Sequence, residues 1–224
     1  MADDGERKEA ARSLVGGLMA ALGRFAVPVA LLLAVLIASF ELRATYVTML
    51  DVFGREQWYL NPGYWLTFGD VTLPASFLVL NLVNRRSGPA FALSTVVISW
   101  LAIGAAGLWL VSQEGVAWVD DEIGAWPVLA VFVGSYFAGQ IICIYVFDRV
   151  RGIPWWRAPL FGTMLGGLVY VALRYSQIGP ELGVPWHNRV VVESGIQVAW
   201  AFAGVYFYHL MRRRVRPLPG FGGA

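Results

Sequence analysis

The sequence predicts an all-α, polytopic membrane protein with six transmembrane helices and both termini in the cytoplasm. Three observations carry this expectation. Hydrophobic residues fill 58% of the 224 positions and charged residues only 14%, with a mean hydropathy of +0.60, too little charge to cover a soluble domain. The apolar residues gather into six runs, most of them about long enough, at 1.5 Å per residue, to cross ~30 Å of hydrocarbon. Lys and Arg are dense in every second connector.

Residues 1–24 (MADDGERKEAARSLVGGLMAALGR) are mixed in charge and then weakly amphipathic, which predicts a cytoplasmic segment holding a short interfacial helix. A six-helix membrane domain then spans residues 25–211, and residues 212–224 form a basic cytoplasmic tail. The first run, Phe25 to Phe40, has a charged lead and no A-x-A site at its end, as an uncleaved first membrane helix would. Beyond Glu41 and Arg43, the connector to Pro62 carries Trp58 and Tyr59, whose rings suit headgroup depth at the outer interface. The second run, Tyr64 to Asn84, is the least apolar, containing Asp70, Pro74, Asn81 and Asn84; Arg85 and Arg86 close it. The third, Phe91 to Val111, is almost wholly apolar, with Gly104 and Gly107 giving a smooth packing face. An acidic loop, Gln113 to Gly124, leads to Pro127–Ile178, a helical hairpin formed by the fourth and fifth runs around the basic, aromatic turn Asp148 to Arg157. The sixth run extends from Val190 to Met211 and stops at Arg212-Arg213-Arg214-Val215-Arg216.

Orientation follows from the seventeen Lys and Arg residues. With the N-terminus inside, thirteen lie on the cytoplasmic side and only Arg43, Arg55, Arg174 and Arg189 on the other. The terminal arginine cluster reads as a stop-transfer anchor on anionic lipid, not as a nucleic-acid surface. No metal or cofactor is expected, since His187 and His209 have no ligand-spaced partners. Nor is an enzyme: there is no H-E-x-x-H and no Ser/His or Cys/His constellation, and Cys143 is solitary. There is no G-x-x-x-x-G-K-[ST] loop for ATP.

Polar residues recur at helical spacing. Asp70, Pro74, Phe77, Asn81 and Asn84 share one side of the second run. Tyr136, Gln140, Cys143 and Phe147 do so on the fourth, Thr163, Gly167, Tyr170 and Arg174 on the fifth, and Glu193, Gln197, Trp200, Gly204 and Tyr208 on the sixth. Lipid would reject such faces, so they are expected to converge inside the bundle. Interhelical hydrogen bonding alone is one use for them. The other is a solute pocket in which Asn81, Asn84, Gln140 and Thr163 fix ligand edges while Tyr136, Tyr170 and Trp200 supply stacking surface. Asp70, Arg174 and Glu193 suit either a buried ion pair or triad, with a coupling or structural role, or snorkelling to the interface. On the first run Ala30, Ala34 and Ala38 form a small-residue ridge. Its expected use is docking within the chain, with a homodimer or an energising subunit as the alternative.

Gly139-Gln140-Ile141-Ile142-Cys143-Ile144-Tyr145-Val146-Phe147-Asp148-Arg149-Val150-Arg151, then Trp155-Trp156-Arg157-Ala158-Pro159 and Gly162-Thr163, resemble the hairpin of the queuosine precursor transporter (vitamin uptake transporter) family. Pro74 to Asn84, closing on Ser87-Gly88, is similar to that family's second-helix signature. The resemblance covers about residues 25–212. It implies a six-helix bundle related to the substrate-binding components of energy-coupling-factor transporters, importing a deazapurine precursor of queuosine or a vitamin-like compound across a bacterial inner membrane. It also implies that an alanine ridge on the first helix docks a coupling subunit. Asn84, Gln140, Phe147, Arg149 and Thr163 match the family pattern. Asn81, Cys143 and Tyr170 stand where members typically have aspartates, and Gly167 where they have a polar residue. Carboxylates are natural acceptors for the ring N–H and amino groups of a purine-like ligand, so their loss implies a changed solute or a changed use of the fold. The expected function is therefore uptake of a small heterocyclic solute, with a non-transporting membrane subunit that scaffolds a partner complex as the alternative.

Overall fold

The computed structural model of the chain describes residues 2–51, 55–114, 126–179 and 186–219. Among these the regular structure is helical: α1 (Ala2–Glu41), α2 (Phe68–Thr72), α3 (Ala75–Ser87), α4 (Pro89–Glu114), α5 (Trp126–Arg149), α6 (Arg157–Ile178) and α7 (Trp186–Arg212), with short 3-10 turns between α1 and α2. An isolated antiparallel bridge joins Tyr46 to Thr67. Most of the acidic loop after the third run lies outside the described residues, as does most of the connector before the sixth.

Among the described residues, four helical stretches are long and apolar enough to cross a membrane: Gly23–Ala44, Pro89–Gln113, Val128–Arg149 and Trp186–Arg212. They correspond to the first, third, fourth and sixth runs, and they are consistent with a multi-pass membrane protein. The first is continuous with the N-terminal segment, because α1 runs for 40 residues through Pro28 instead of forming a separate interfacial helix. Between Ser13 and Pro28 the sequence offers no capping side chain or proline to stop it.

The second run is not one helix. Pro74 cannot donate a backbone hydrogen bond, and the chain tightens around it: Ser76 N donates to Leu73 O at 3.1 Å and Phe77 N to Pro74 O at 3.0 Å, both three residues back. That tightening separates α2 from α3. The fifth run has the length, with 22 residues in α6, but Arg157, Thr163, Tyr170, Arg174 and its glycines make it less apolar. Protein encloses it instead, as it packs between α5 and α7.

The burial pattern inverts that of a water-soluble protein. Leu101, Leu108 and Trp109 of α4 and Val191, Phe202 and Tyr206 of α7 face outward, while Asn81, Asn84, Gln140, Thr163, Glu193 and Gln197 are buried. A hydrocarbon solvent favours this arrangement. Among the described side chains of α1, Leu32, Leu36 and Ser39 are buried, and Ala30, Ala34 and Ala38 are exposed. The alanine ridge therefore does not dock within the chain. The leucine row takes that place because larger side chains fill the space against α3 and α4.

α5 and α6 pack backbone to backbone. A Cβ on Gly139 would stand 2.6 Å from Gly166 O, and one on Gly166 would stand 2.6 Å from Gly139 O and 2.8 Å from Cys143 Cβ. No real side chain fits at such distances, so both positions require glycine. Gly166→Val is expected to lower stability by about 3 kcal/mol through overpacking, whereas Gly104→Ala, where a Cβ meets nothing within 4 Å, is expected to cost nothing. Thermal unfolding of the two variants in the same detergent checks this contrast.

Candidate functional site

The polar faces meet in three layers along the bundle. At the first, Thr67 caps α2: its Oγ1 accepts from Asp70 N at 3.2 Å, while Asp70 Oδ2 accepts from Thr67 N at 3.2 Å and Thr67 Oγ1 at 2.7 Å. The other oxygen of Asp70 lies 3.8 Å from Arg174 Nη1. The same Nη1 is 3.1 Å from Glu193 Oε2 and donates to Tyr170 Oη at 2.9 Å. Tyr175 Oη donates to Glu193 Oε1. Side-chain exposure is 18% for Arg174, 13% for Asp70 and 7% for Glu193. Arg174 thus turns into the protein, where two carboxylates, a phenol and the rings of Phe132, Tyr170 and Tyr175 surround it. Arg43 approaches from the end of the first span, its guanidinium 4.0 Å above the Phe132 ring.

In the second layer Tyr136 Oη donates to Leu73 O at 2.8 Å, at the break between α2 and α3. Its single proton being used there, Ser76 Oγ is the donor in the 2.5 Å bond between the two hydroxyls. Tyr136 and Tyr170 meet edge to face, with ring centroids 4.9 Å apart. Gln140 Oε1 accepts from Trp100 Nε1 of α4 at 2.8 Å, which leaves Gln140 Nε2 buried and without a hydrogen-bond partner. Gln197 Oε1 is in the same condition and lies against Gly167.

The third layer is closed. Asn81 Nδ2 donates to Thr163 Oγ1 at 2.9 Å, and Asn81 Oδ1 accepts from Cys143 Sγ at 3.4 Å. Asn84 Nδ2 donates to Ile144 O at 3.0 Å, and its Oδ1 accepts from Arg151 Nη2 at 2.8 Å. Arg151 also pairs with Asp148 at 3.3 Å.

Of the residues singled out from the sequence, the fold brings Asn81 to Thr163, Tyr136 to Tyr170, and Asp70 and Glu193 to Arg174. Gln140 and Asn84 are buried nearby but bond elsewhere, Gln140 to α4 and Asn84 to α5 and the turn. Trp200 is half-buried and donates to Val71 O at 2.5 Å, so its indole braces α2. Cavities of about 280 Å³ and 560 Å³ open at the surface, beside Ser135 and Gln177 and beside Arg149 and Arg157 respectively, not between the layers. Sequence reasoning did not single out Ser76, Trp100, Arg43 or Tyr175. For Tyr175 the signal was available, since Val171, Tyr175 and Ile178 form a buried row at helical spacing. Trp100 stands midway along the almost wholly apolar third run, and its partner is 40 residues away.

No protein-family model, curated protein or solved structure matches the chain.

Removing one partner from a buried ion cluster strands the opposite charge, so Arg174→Ala is expected to cost about 3–5 kcal/mol. The Arg174→Leu, Glu193→Leu double variant is expected to lose less, because one of the two stranded carboxylates is gone and the other, Asp70, keeps its bonds from Thr67. Melting temperatures of both variants and of the wild type check this; a double variant less stable than Arg174→Ala would contradict it.

Proposed function

We propose that the chain is a bacterial inner-membrane uptake protein for a small, planar heterocyclic solute of the deazapurine or vitamin type. In this reading six spans cross the bilayer with both termini inside. α2 and α3 together form the second span and α6 the fifth. The solute binds among the second, fourth, fifth and sixth spans. Asn81, Asn84, Gln140 and Thr163 address its edge, and Tyr136, Tyr170 and Trp200 its faces. The observation that carries the reading is the pair of buried amides with an unused hydrogen-bonding atom, Gln140 Nε2 and Gln197 Oε1. They flank the closest approach of α5 and α6: Gln140 follows Gly139, and Gln197 lies against Gly167. An unsatisfied buried polar atom costs about 1–3 kcal/mol, a cost that a purely structural bundle has no reason to keep. One donor and one acceptor at this level suit a heterocycle, which presents both.

The test is thermal unfolding of the purified protein against a panel of deazapurines, purines and vitamins. A solute at one hundred times its Kd is expected to stabilise the wild type by about 2.7 kcal/mol. Gln197→Leu is expected to melt no lower than wild type without ligand, because it removes an unsatisfied atom, and to lose the ligand shift. A ligand shift that survives in Gln197→Leu would remove this residue from the site.

The exposed Ala30, Ala34 and Ala38 row favours a second reading, in which the bundle holds a partner chain against α1. Ala34→Leu is then expected to dissociate a complex that the wild type forms in native membranes. Identical complexes on native gels for both proteins would count against this reading.

A further inference from the structure

The turn between α5 and α6 touches the proposed solute site only through Arg151 and Asn84, and it borders an open cavity of about 560 Å³ lined by Arg149, Arg151, Gly152, Ile153, Trp156 and Arg157, among others. Four features of this cavity belong together. Arg151 is committed to Asp148 and to Asn84, but Arg149 and Arg157 are exposed and make no ion pair among the described residues. They rest only against the rings of Tyr145 and Trp156, at 5.2 Å and 6.0 Å. Arg157 opens α6, at the positive end of the helix dipole, where the first turn holds no acidic residue and Trp156 gives no side-chain cap. That placement is opposite to the one a helix favours, and an anion there would correct it. Gly152 has φ +145°, a conformation that glycine tolerates, and a Cβ there would meet nothing within 4 Å.

The fourth feature is apolar. Ile141, Tyr145 and Arg149 follow one another at four-residue steps on α5, and Arg157, Phe161 and Leu165 do the same on α6. Each arginine therefore stands at the foot of an apolar row that climbs its helix. Ile141, Tyr145 and Leu165 are exposed, and Ile153 at the tip of the turn is 96% exposed. A free phosphate would use the arginines and leave the rows bare. A phospholipid uses both.

We propose that this cavity binds the phosphodiester headgroup of an anionic phospholipid, with Arg149 and Arg157 as its ligands. The acyl chains lie along the Ile141–Tyr145 and Phe161–Leu165 rows, and Ile153 and Trp156 sit at headgroup depth. Guanidinium groups suit phosphate oxygens through paired N–H donors, and basic pockets between membrane helices select anionic headgroups. The nearby Asp148 carboxylate is neutralised by Arg151 at 3.3 Å, so the two remaining arginines give the pocket its charge.

The experiment is native mass spectrometry of the full chain, released from detergent containing equal amounts of dioleoyl phosphatidylglycerol and dioleoyl phosphatidylcholine. The wild type is expected to retain one phosphatidylglycerol in preference to phosphatidylcholine. The Arg149→Gln, Arg157→Gln double variant is expected to reduce that preference by about 30-fold, which is ~1 kcal/mol for each arginine. Arg149→Lys with Arg157→Lys is expected to keep part of the preference and to report that the turn still folds. Arg213→Gln with Arg214→Gln, which removes the same charge from the tail, is expected to change nothing. Equal retention of both lipids by the wild type would overturn the proposal. So would equal losses from the turn and tail variants, which would mean a diffuse basic surface. Displacement of phosphatidylglycerol by millimolar inorganic phosphate would also overturn it, assigning the pocket to a free anion.

Discussion

The close contact of α5 and α6 across Gly139 and Gly166 is the constraint on which the interior depends. With each backbone carbonyl only 2.6 Å from where the other helix would carry a Cβ, the axes come near enough for side chains on either flank to meet. Tyr136 reaches the edge of Tyr170 on one flank. On the other, Cys143, Asn81 and Thr163 close into a single hydrogen-bonded group. Between lipid-facing helices no water waits to satisfy a polar atom. Each polar side chain on these faces therefore has to find its partner on a neighbouring helix, as Asn81 does with Thr163 of α6 and Cys143 of α5. Gln140 Nε2 and Gln197 Oε1 are among the buried atoms left without a partner, as is Arg174 Nε; Gln140 follows Gly139, and Gln197 lies against Gly167.

That closed arrangement bears on how a solute would enter. Hydrogen bonds such as Asn81 to Thr163 or Trp100 to Gln140 contribute only about 0.5–1.5 kcal/mol net, and those between membrane helices average near the lower end. Replacing them with bonds to a solute edge is therefore nearly balanced in energy. The glycine contact is different, since it is dispersion between backbones with no alternative partner.

How far the sequence carries this picture depends on what each signal measures. Helical spacing put Asn81, Asn84, Gln140, Thr163, Tyr170, Glu193 and Gln197 on inward faces, and all of them are buried. Polar residues in a bilayer leave one solution for a face, so periodicity decides it. For α1 it does not decide. Ala30, Ala34 and Ala38 repeat at the same interval as Leu32 and Leu36, about half a turn away, and both rows are apolar. In water the polar face would mark the outside; in hydrocarbon the contrast vanishes, and packing volume selects the leucines. The break in the second run is written in Pro74. Which carbonyl the break exposes, and that Tyr136 takes it, follows only from the fold. Pairings such as Trp100 with Gln140 or Arg43 with Phe132 are equally set by tertiary geometry, which spacing along one helix does not encode.

The charged end of the interior sets a further condition on any solute bound beside it. Arg43 and Arg174 both face the Phe132 ring, and Asp70 and Glu193 both face Arg174, so two cations and two carboxylates share one partly enclosed space. The sum is zero. In a medium of low dielectric Arg174 is tolerable because Asp70 and Glu193 stand 3.8 Å and 3.1 Å from it, while an extra unpaired charge would cost several kcal/mol. A solute carrying a net charge would supply that extra charge unless a proton or counterion came with it. A neutral ring with donors and acceptors on its edge supplies none, and it can exchange hydrogen bonds with the amides of the second layer while leaving the balance of the first intact.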